Sequence, residues 1–294
     1  MASKLKAVDP KAAEPSRPKI TIFGKPGVGK TWGALDFPNV YYIDTEGGAD
    51  LAHYTDKLKK SGGVYFGPEQ GASDFETVIE QVKALATEDH SYKTLVIDSL
   101  SKIYNLEVTK EAERLGEKDA FGASKKPAVR QSAALIRWLG KLDMNVILIC
   151  HLKPEWSKGE QIGVIPDAHE KLEYELHLCL QIEKQGDNRI ARVKKSRLQE
   201  FSDGSNFPWS YTEFSKRYGK NVIEKKAEHI TLATQLQLTE LKVLLETVKV
   251  PEKEIEAWYT KAGVASFEEM SMDVAEKIIT HLKTKLTLAN TERK

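Results

Sequence analysis

Cysteine is almost missing from this chain: two in 294 residues, Cys150 and Cys179, each in its own apolar run. With no C-x-x-C pair and no metal-ligand spacing, they exclude a disulfide scaffold and a thiolate metal site, and read as core thiols of a reducing compartment. An excess of one charge is lacking too, since 44 basic residues face 43 acidic ones for a formal net charge of +1. The chain as a whole is not a polycation, so any nucleic-acid surface has to be local. No apolar run approaches the ~20 residues of a membrane-spanning helix. Met1 to Pro18 is rich in Lys, Ala and Pro and has no apolar stretch of the signal-peptide kind. The expectation is a cytoplasmic protein without a membrane partner. Its first 18 residues are expected to form a disordered basic tail in which Lys4, Lys6, Lys11 and Arg17 either touch a polyanion or keep the tail solvated.

What is present is organised around Lys19 to Thr31, K-I-T-I-F-G-K-P-G-V-G-K-T, where an apolar strand runs into G-x-x-x-x-G-K-[ST]. This is the phosphate-binding (Walker A) pattern: Gly24, Gly27 and Gly29 let backbone N–H groups wrap phosphate oxygens, Lys30 reaches the β- and γ-phosphates, and the Thr31 hydroxyl serves Mg²⁺. Lys25, Pro26, Val28 and Trp32 complete the candidate nucleotide contacts.

Further apolar runs read as strands at Val40 to Gly48, closing on two acids and a glycine turn, at Thr94 to Leu100 and at Asn145 to His151, with a short one over Gly62 to Phe66. Amphipathic helices are expected at Phe75 to Ala86 and Ala128 to Leu142. Lys102 to Arg130 is expected to begin as helix and continue as a mobile loop. Leu176 to Lys184 and Arg189 to Lys195 flank Gln185-Gly186-Asp187-Asn188, a hairpin turn. Strands alternating with helices give an α/β class with a mainly parallel sheet and an edge hairpin over 19–226. From 227 to 294 the pattern is helical only: Leu238 to Val248, Pro251 to Ala262 with Pro251 at the first helical position, and Ser271 to Leu286, with Ser266 and Glu269 as a capping box. This small all-α domain reads equally as a self-contained bundle or as a docking module for a protein partner.

Three strand ends carry polar groups. Asp98 suits the second nucleotide-site acid, which completes the Mg²⁺ shell, with Ser99 as an assistant. Glu46 can orient and deprotonate a water in line with the γ-phosphate, or be a solvated turn acid. Asp44 reads rather as a buried supporting acid. His151 is either a sensor of the γ-phosphate or an ordinary strand-end histidine. Basic residues concentrate at Lys184, Arg189, Arg192, Lys194, Lys195 and Arg197 against one acid, Asp187, and again at Lys125, Lys126 and Arg130. Both groups read as phosphate contacts or as solvated faces, and Phe121 and Trp156 are candidates for stacking on bases.

Tyr42-Ile43-Asp44-Thr45-Glu46-Gly47 resembles the strand-and-glutamate signature of RecA-type recombinases. The Walker A loop, Leu95-Val96-Ile97-Asp98-Ser99 and a polar residue after the third strand come in that family's order, although the family often has Gln or Asn where His151 stands. Lys195-Ser196-Arg197 matches its paired basic motif, and Thr212-Glu213-Phe214 to Tyr218-Gly219 resembles the stretch beyond that motif. The compact core is most similar to phage Sak-type ATPases of single-strand annealing and recombination. The resemblance implies a RecA-like ATPase core binding ATP and Mg²⁺ between subunits of a homo-oligomer, with single-stranded DNA as partner and, if phage-encoded, a bacterial host's cytoplasm as location. It further implies Glu46 as water activator, Lys195 and Arg197 acting on the neighbouring subunit's ATP, and DNA loops near 114–130 and 152–170. Two rivals stay open: a regulatory switch that binds a protein and no DNA, and a small-molecule kinase, disfavoured because no arginine-rich lid is evident.

Overall fold

Apolar runs of five or six residues, buried on both faces, form the parallel centre of the sheet, as continuous Val/Ile/Leu sequences do. In the computed structural model, which describes residues 16–48, 51–120 and 122–291, β1 (Lys19–Phe23) leads into α1 (Lys30–Ala34), β2 (Val40–Asp44) into α2 (Ala52–Lys60), and β3 (Val64–Phe66) into α3 (Phe75–Thr87). Next come β4 (Thr94–Asp98), α4 (Leu100–Leu115), α5 (Lys125–Lys141) and β5 (Asn145–Cys150). A separate hairpin, β6 (Leu152–Ser157) and β7 (Glu160–Pro166), precedes α6 (Leu172–Glu175), β8 (Leu178–Gln185) and β9 (Asn188–Ser196). β10 (Asn206–Pro208), α7 (Tyr211–Tyr218) and α8 (Lys220–Glu224) complete the sheet region, and α9 (Gln235–Val248), α10 (Glu252–Ala262) and α11 (Met272–Thr291) close the chain order.

The eight-stranded sheet has the order β10-β9-β8-β1-β5-β4-β2-β3. All pairs from β8 to β3 are parallel, and only β8–β9 and β9–β10 are antiparallel. This is an α/β P-loop fold with an edge hairpin. β5 lies between β1 and β4, so the ends of the glycine-loop strand and of the acid strand are one strand apart, with His151 at the end of the strand between them. One face of the sheet is covered by α3, α4 and α5 around Phe75, Leu135 and Trp138; the other is packed with Leu35, Phe37, Phe201, Trp209 and Phe214.

Several expectations need correction. Between 102 and 130 the helix expected first is α4, which runs to Leu115, but the loop expected after it ends at α5, which begins at Lys125, so Lys125, Lys126 and Arg130 sit on a helix. The stretch from Leu152 is the paired hairpin β6–β7, closed by Lys158 (φ 52) and Gly159 (φ 86), the two positive φ values that a tight hairpin turn requires. Ser266 and Glu269 form no reciprocal capping box: Glu269 meets Arg137 of α5 at 3.2 Å and accepts from the Ala265 N–H at 2.8 Å. The capping box that does form is Thr234 with Gln237, at 3.1 and 3.2 Å. Pro251 is the N-cap of α10, one residue before its expected place.

The helices α9–α11 enclose their own core of Leu241, Leu244, Met270, Ile279 and Leu282. They are tied to the sheet region by Arg137–Glu269 and by the Lys141 ammonium on the Glu269 carbonyl at 3.3 Å. The Ile230 N–H donates to the Ala86 carbonyl at 2.8 Å. Among the described residues no helix is long and apolar enough to cross a membrane.

The expected tail covered Arg17, and this too is corrected. Lys4, Lys6 and Lys11, like Phe121, lie outside the described residues. Arg17 is only 4% exposed. Its guanidinium donates to the carbonyls of Val222 at 2.9 Å, Ile223 at 3.0 Å and Lys225 at 2.5 Å, and to Asp143 at 3.4 Å. It therefore closes the start of β1 onto α8 and is not available to a polyanion. Arg17→Ala leaves these acceptors without their donor, and a loss of about 3 kcal/mol is expected from a urea unfolding midpoint. A shift below about 0.5 kcal/mol, the scale of ordinary surface substitutions, would refute the role.

Candidate nucleotide site

Two glycines of the loop are required, each for its own reason. At Gly24 an added Cβ would lie 2.3 Å from the carbonyl oxygen of Ile182 in β8, so only glycine lets the chain leave β1 there. Gly29 has φ 88, in the left-handed region, and caps α1. Within the loop the Lys30 ammonium donates to the carbonyls of Gly24 and Lys25, both at 3.0 Å. Burial lowers its pKa, against the pull of the Asp98 and Glu46 carboxylates.

Asp98 closes β4 in the direction of this loop. Its Oδ2 accepts from the Thr31 hydroxyl at 2.5 Å and from the Tyr42 hydroxyl at 3.2 Å. Burial pushes the Asp98 carboxyl up to about 6, while the Thr31 bond acts in the opposite sense. Thr31 and Asp98 are thus an oxygen pair suited to a Mg²⁺ that keeps several waters and phosphate oxygens. Among the described residues no cluster of three or more His, Cys, Asp or Glu could hold a metal unaided.

Across the cleft, Glu46 is held from two sides. Its Oε1 accepts from the Ser99 hydroxyl at 2.5 Å and lies 2.6 Å from Nε2 of His151. Asp44, buried, caps the turn that carries it: Oδ1 accepts the N–H groups of Glu46 at 3.0 Å and Gly47 at 2.9 Å, and Oδ2 accepts from Tyr65 at 3.1 Å. Thr45 stitches the two strand ends together, its N–H on the Asp98 carbonyl at 2.7 Å and its hydroxyl on the Ser99 carbonyl at 2.9 Å. The Asp98–Ser99 peptide is cis. Lys30, Thr31, Glu46, Tyr54, Asp98 and His151 line one cleft of about 620 Å³.

Residues 16–204 match the family model described as AAA domain. The chain belongs to the AAA domain family. That match spans the glycine loop, Glu46, Asp98, His151 and the β8–β9 hairpin, and identifies an ATPase-type nucleotide-binding domain. No curated protein matches the chain. Among solved structures, the crystal structure of the RadB recombinase is similar at 18% identity and a TM-score of 0.43, over 66% of this chain and 87% of that one.

Within this AAA domain the candidate residues divide. Lys25, Pro26, Gly27, Lys30, Thr31, Glu46, Asp98 and His151 come together in the cleft. Val28 turns its side chain into the core. Trp32 is 45% exposed and sits in an aromatic patch with His53 and Tyr54, ring centroids 5.9 and 5.8 Å away, under the ammonium of Lys57. Lys195 and Arg197 are remote from the cleft of their own chain. They lie where β1 begins, with the Lys195 ammonium on the Leu176 carbonyl and the Arg197 guanidinium on that of Tyr174. Sequence reasoning misses Tyr42, although a tyrosine in a buried strand has to find a partner for its hydroxyl. It also misses Tyr54 as a cleft residue.

Because the folded chain holds Asp98 at about 6 against an ordinary 3.8, the unfolded chain binds fewer protons between those values, and stability falls as pH rises through that window. Above it the partly buried charge costs on the order of 1 to 3 kcal/mol. Asp98→Asn is expected to abolish ATP hydrolysis while raising the melting temperature of the nucleotide-free protein at pH 7.5 and flattening its pH dependence between 4 and 6. A variant with a lower melting temperature at pH 7.5 would contradict the desolvation account.

Proposed function

We propose that this protein is a Mg²⁺-dependent ATPase of RecA type that acts on single-stranded DNA in homologous recombination or strand annealing of the phage kind, with ATP at the interfaces of a homo-oligomer. The observation that carries this reading is the Glu46–His151 contact at 2.6 Å, because it joins the water-activating carboxylate to the residue from which the β6–β7 hairpin departs.

The loop N–H groups and Lys30 hold the triphosphate, and Thr31 with Asp98 hold the cation. When bound, Mg²⁺ neutralises charge developing on the phosphoryl oxygens. Both contacts of Glu46 fall on Oε1, which leaves Oε2 to take a proton from water. His151 also anchors a second line of bonds: its N–H donates to Ser101 Oγ at 2.8 Å, Ser101 donates to the Asp167 carbonyl at 2.5 Å, and the Asp167 N–H returns to the His151 carbonyl at 2.8 Å. The root of the hairpin is therefore coupled to the base. On the hairpin, Trp156 is 63% exposed, a stacking surface for unpaired bases, with Ile162, 61% exposed, as an apolar contact and Lys158 for phosphates, while Lys153 is held by Asp167 at 3.7 Å. Lys195 and Arg197, remote from their own cleft, serve the ATP of the adjacent subunit.

One observation favours a second reading, an ATP-dependent switch that engages a protein and no DNA. Leu236 and Val243, seven residues apart on α9, are 83% and 57% exposed and form an apolar stripe on the C-terminal helices.

ATP turnover measured with and without unlabelled single-stranded DNA separates the two. Stimulation by DNA, together with salt-sensitive binding, is expected; steady turnover with neither effect would favour the switch. Glu46→Gln should keep ATP binding and slow hydrolysis by about 10²-fold or more. Equal losses of affinity and rate would make Glu46 structural. Alanine variants of Lys195 and Arg197 should bind ATP but hydrolyse it about 10³-fold or more slowly, and regain part of the rate when mixed with Glu46→Gln protein. Failure to complement would place the pair outside the reaction.

A further inference from the structure

Strand β9 begins beside the glycine loop, and one of its cations rests on that loop. A Cβ at Gly29 would meet Arg189 at Nε (3.0 Å), Cδ (3.3 Å) and Cγ (3.6 Å), so the arginine side chain covers the residue immediately before Lys30. Arg189 is partly buried, and its single side-chain hydrogen bond among the described residues is a 3.2 Å contact from Nη1 to the Asp187 carbonyl in its own turn. Among the described residues no carboxylate is paired with it.

Its placement is built rather than incidental. The Arg189 carbonyl accepts the Trp209 N–H at 2.7 Å. The Trp209 ring, 5% exposed, packs so closely on Gly33 that a Cβ there would lie 2.2 Å from its Nε1. Gly29 and Gly33 are one helical turn apart, so the β9–β10 edge grips one side of the loop and α1 at two levels, through Arg189 above and Trp209 below. β10 pairs with β9 immediately after Arg189, at Ile190–Pro208 and Ala191–Phe207, and keeps this edge from swinging away.

We infer that Arg189 is a phosphate ligand of the bound nucleotide, contributed by the same chain that provides the glycine loop. A guanidinium always carries its charge and offers a fork of donors matched to phosphate oxygens. Placed against Gly29, beyond the carboxyl end of β1, it stands beside the cleft lined by Gly24 to Gly27, Lys30 and Thr31 rather than in its wall, at the end of the sheet where ligands of open α/β folds bind. It approaches the phosphates from the β9 side, while Lys30 approaches from within the loop. This assignment rests on the proposed nucleotide site and adds a contact to it.

Equilibrium titration of the full-length protein with ADP, read by calorimetry, tests it. R189A and R189Q are expected to bind ADP about 10- to 100-fold more weakly than the native protein, the scale of a lost charge-assisted hydrogen bond, with R189K in between. The salt dependence of ADP binding should also be shallower in R189Q than in the native protein. R189K keeps the methylenes that cover Gly29 and R189Q keeps Cβ, Cγ and a neutral polar end, so the pair decides the matter even if R189A folds poorly. ADP affinity in R189Q within about twofold of the native value would overturn the inference and leave Arg189 as packing. A native protein that binds no ADP would instead overturn the nucleotide reading itself, and this assignment with it.

Discussion

A partly buried carboxylate at the end of β4, without a cationic partner among the described residues, is the constraint on which the site depends. Asp98 has two hydroxyl donors, Thr31 and Tyr42, and no cation within bonding distance among the described residues. Its charge is therefore unfavourable in the free protein and becomes favourable only with a positive partner, as burial of any unpaired acid dictates. The surroundings keep that arrangement from relaxing. Thr45 locks the end of β2 to the Asp98 and Ser99 carbonyls, and Ser99 in turn carries Glu46. β5 separates β1 from β4, so the loop hydroxyl has to reach across a strand to meet the acid. The result is a site whose free energy is poor alone and improves on loading, a common cost of polar groups organised for chemistry.

Much of this was legible in the residues because some positions tolerate few alternatives. The loop is readable because glycine alone fits at Gly24 and favours the backbone of Gly29, and the parallel strands because two-sided burial demands unbroken apolar runs. The β8–β9 turn is readable from Gly186 and its polar neighbours. What escaped depends on partners distant in sequence. Arg17 looks like any basic residue of a solvated tail until α8 and the residue just after it offer it three carbonyls. Glu269 satisfies a local capping pattern yet is claimed by Arg137 of α5. The β6–β7 hairpin contains Pro154 and little apolar alternation, and its order comes from cross-strand pairing rather than from a buried face. β10 has three residues, one of them a proline at an edge, below any threshold of pattern. Arg189 belongs to a run of six cations, and nothing in that run distinguishes the one that reaches Gly29.

The same run contains a device that composition cannot reveal. In the β8–β9 ladder Leu180 faces Val193 whereas Cys179 faces Lys195, so Lys194 is an extra, unpaired residue. Strand side chains alternate, and residues directly opposite one another share a face. Without the bulge, Lys195 would share the face of Ala191 and Val193, which is packed with Leu180 and Phe207 in the aromatic core. The inserted residue turns Lys195 to the opposite face, beside Cys179, where its ammonium reaches the Leu176 carbonyl. β9 consequently presents cations at two ends about 20 Å apart, six residues at strand rise: Arg189 on its own glycine loop, and Lys195 with Arg197 where β1 begins. A strand held by β8 along its length and by β10 near its start is stiff. If the far pair meets an adjoining subunit's nucleotide as proposed, one paired strand spans two consecutive sites, and a shift of either nucleotide has a direct mechanical route to the other.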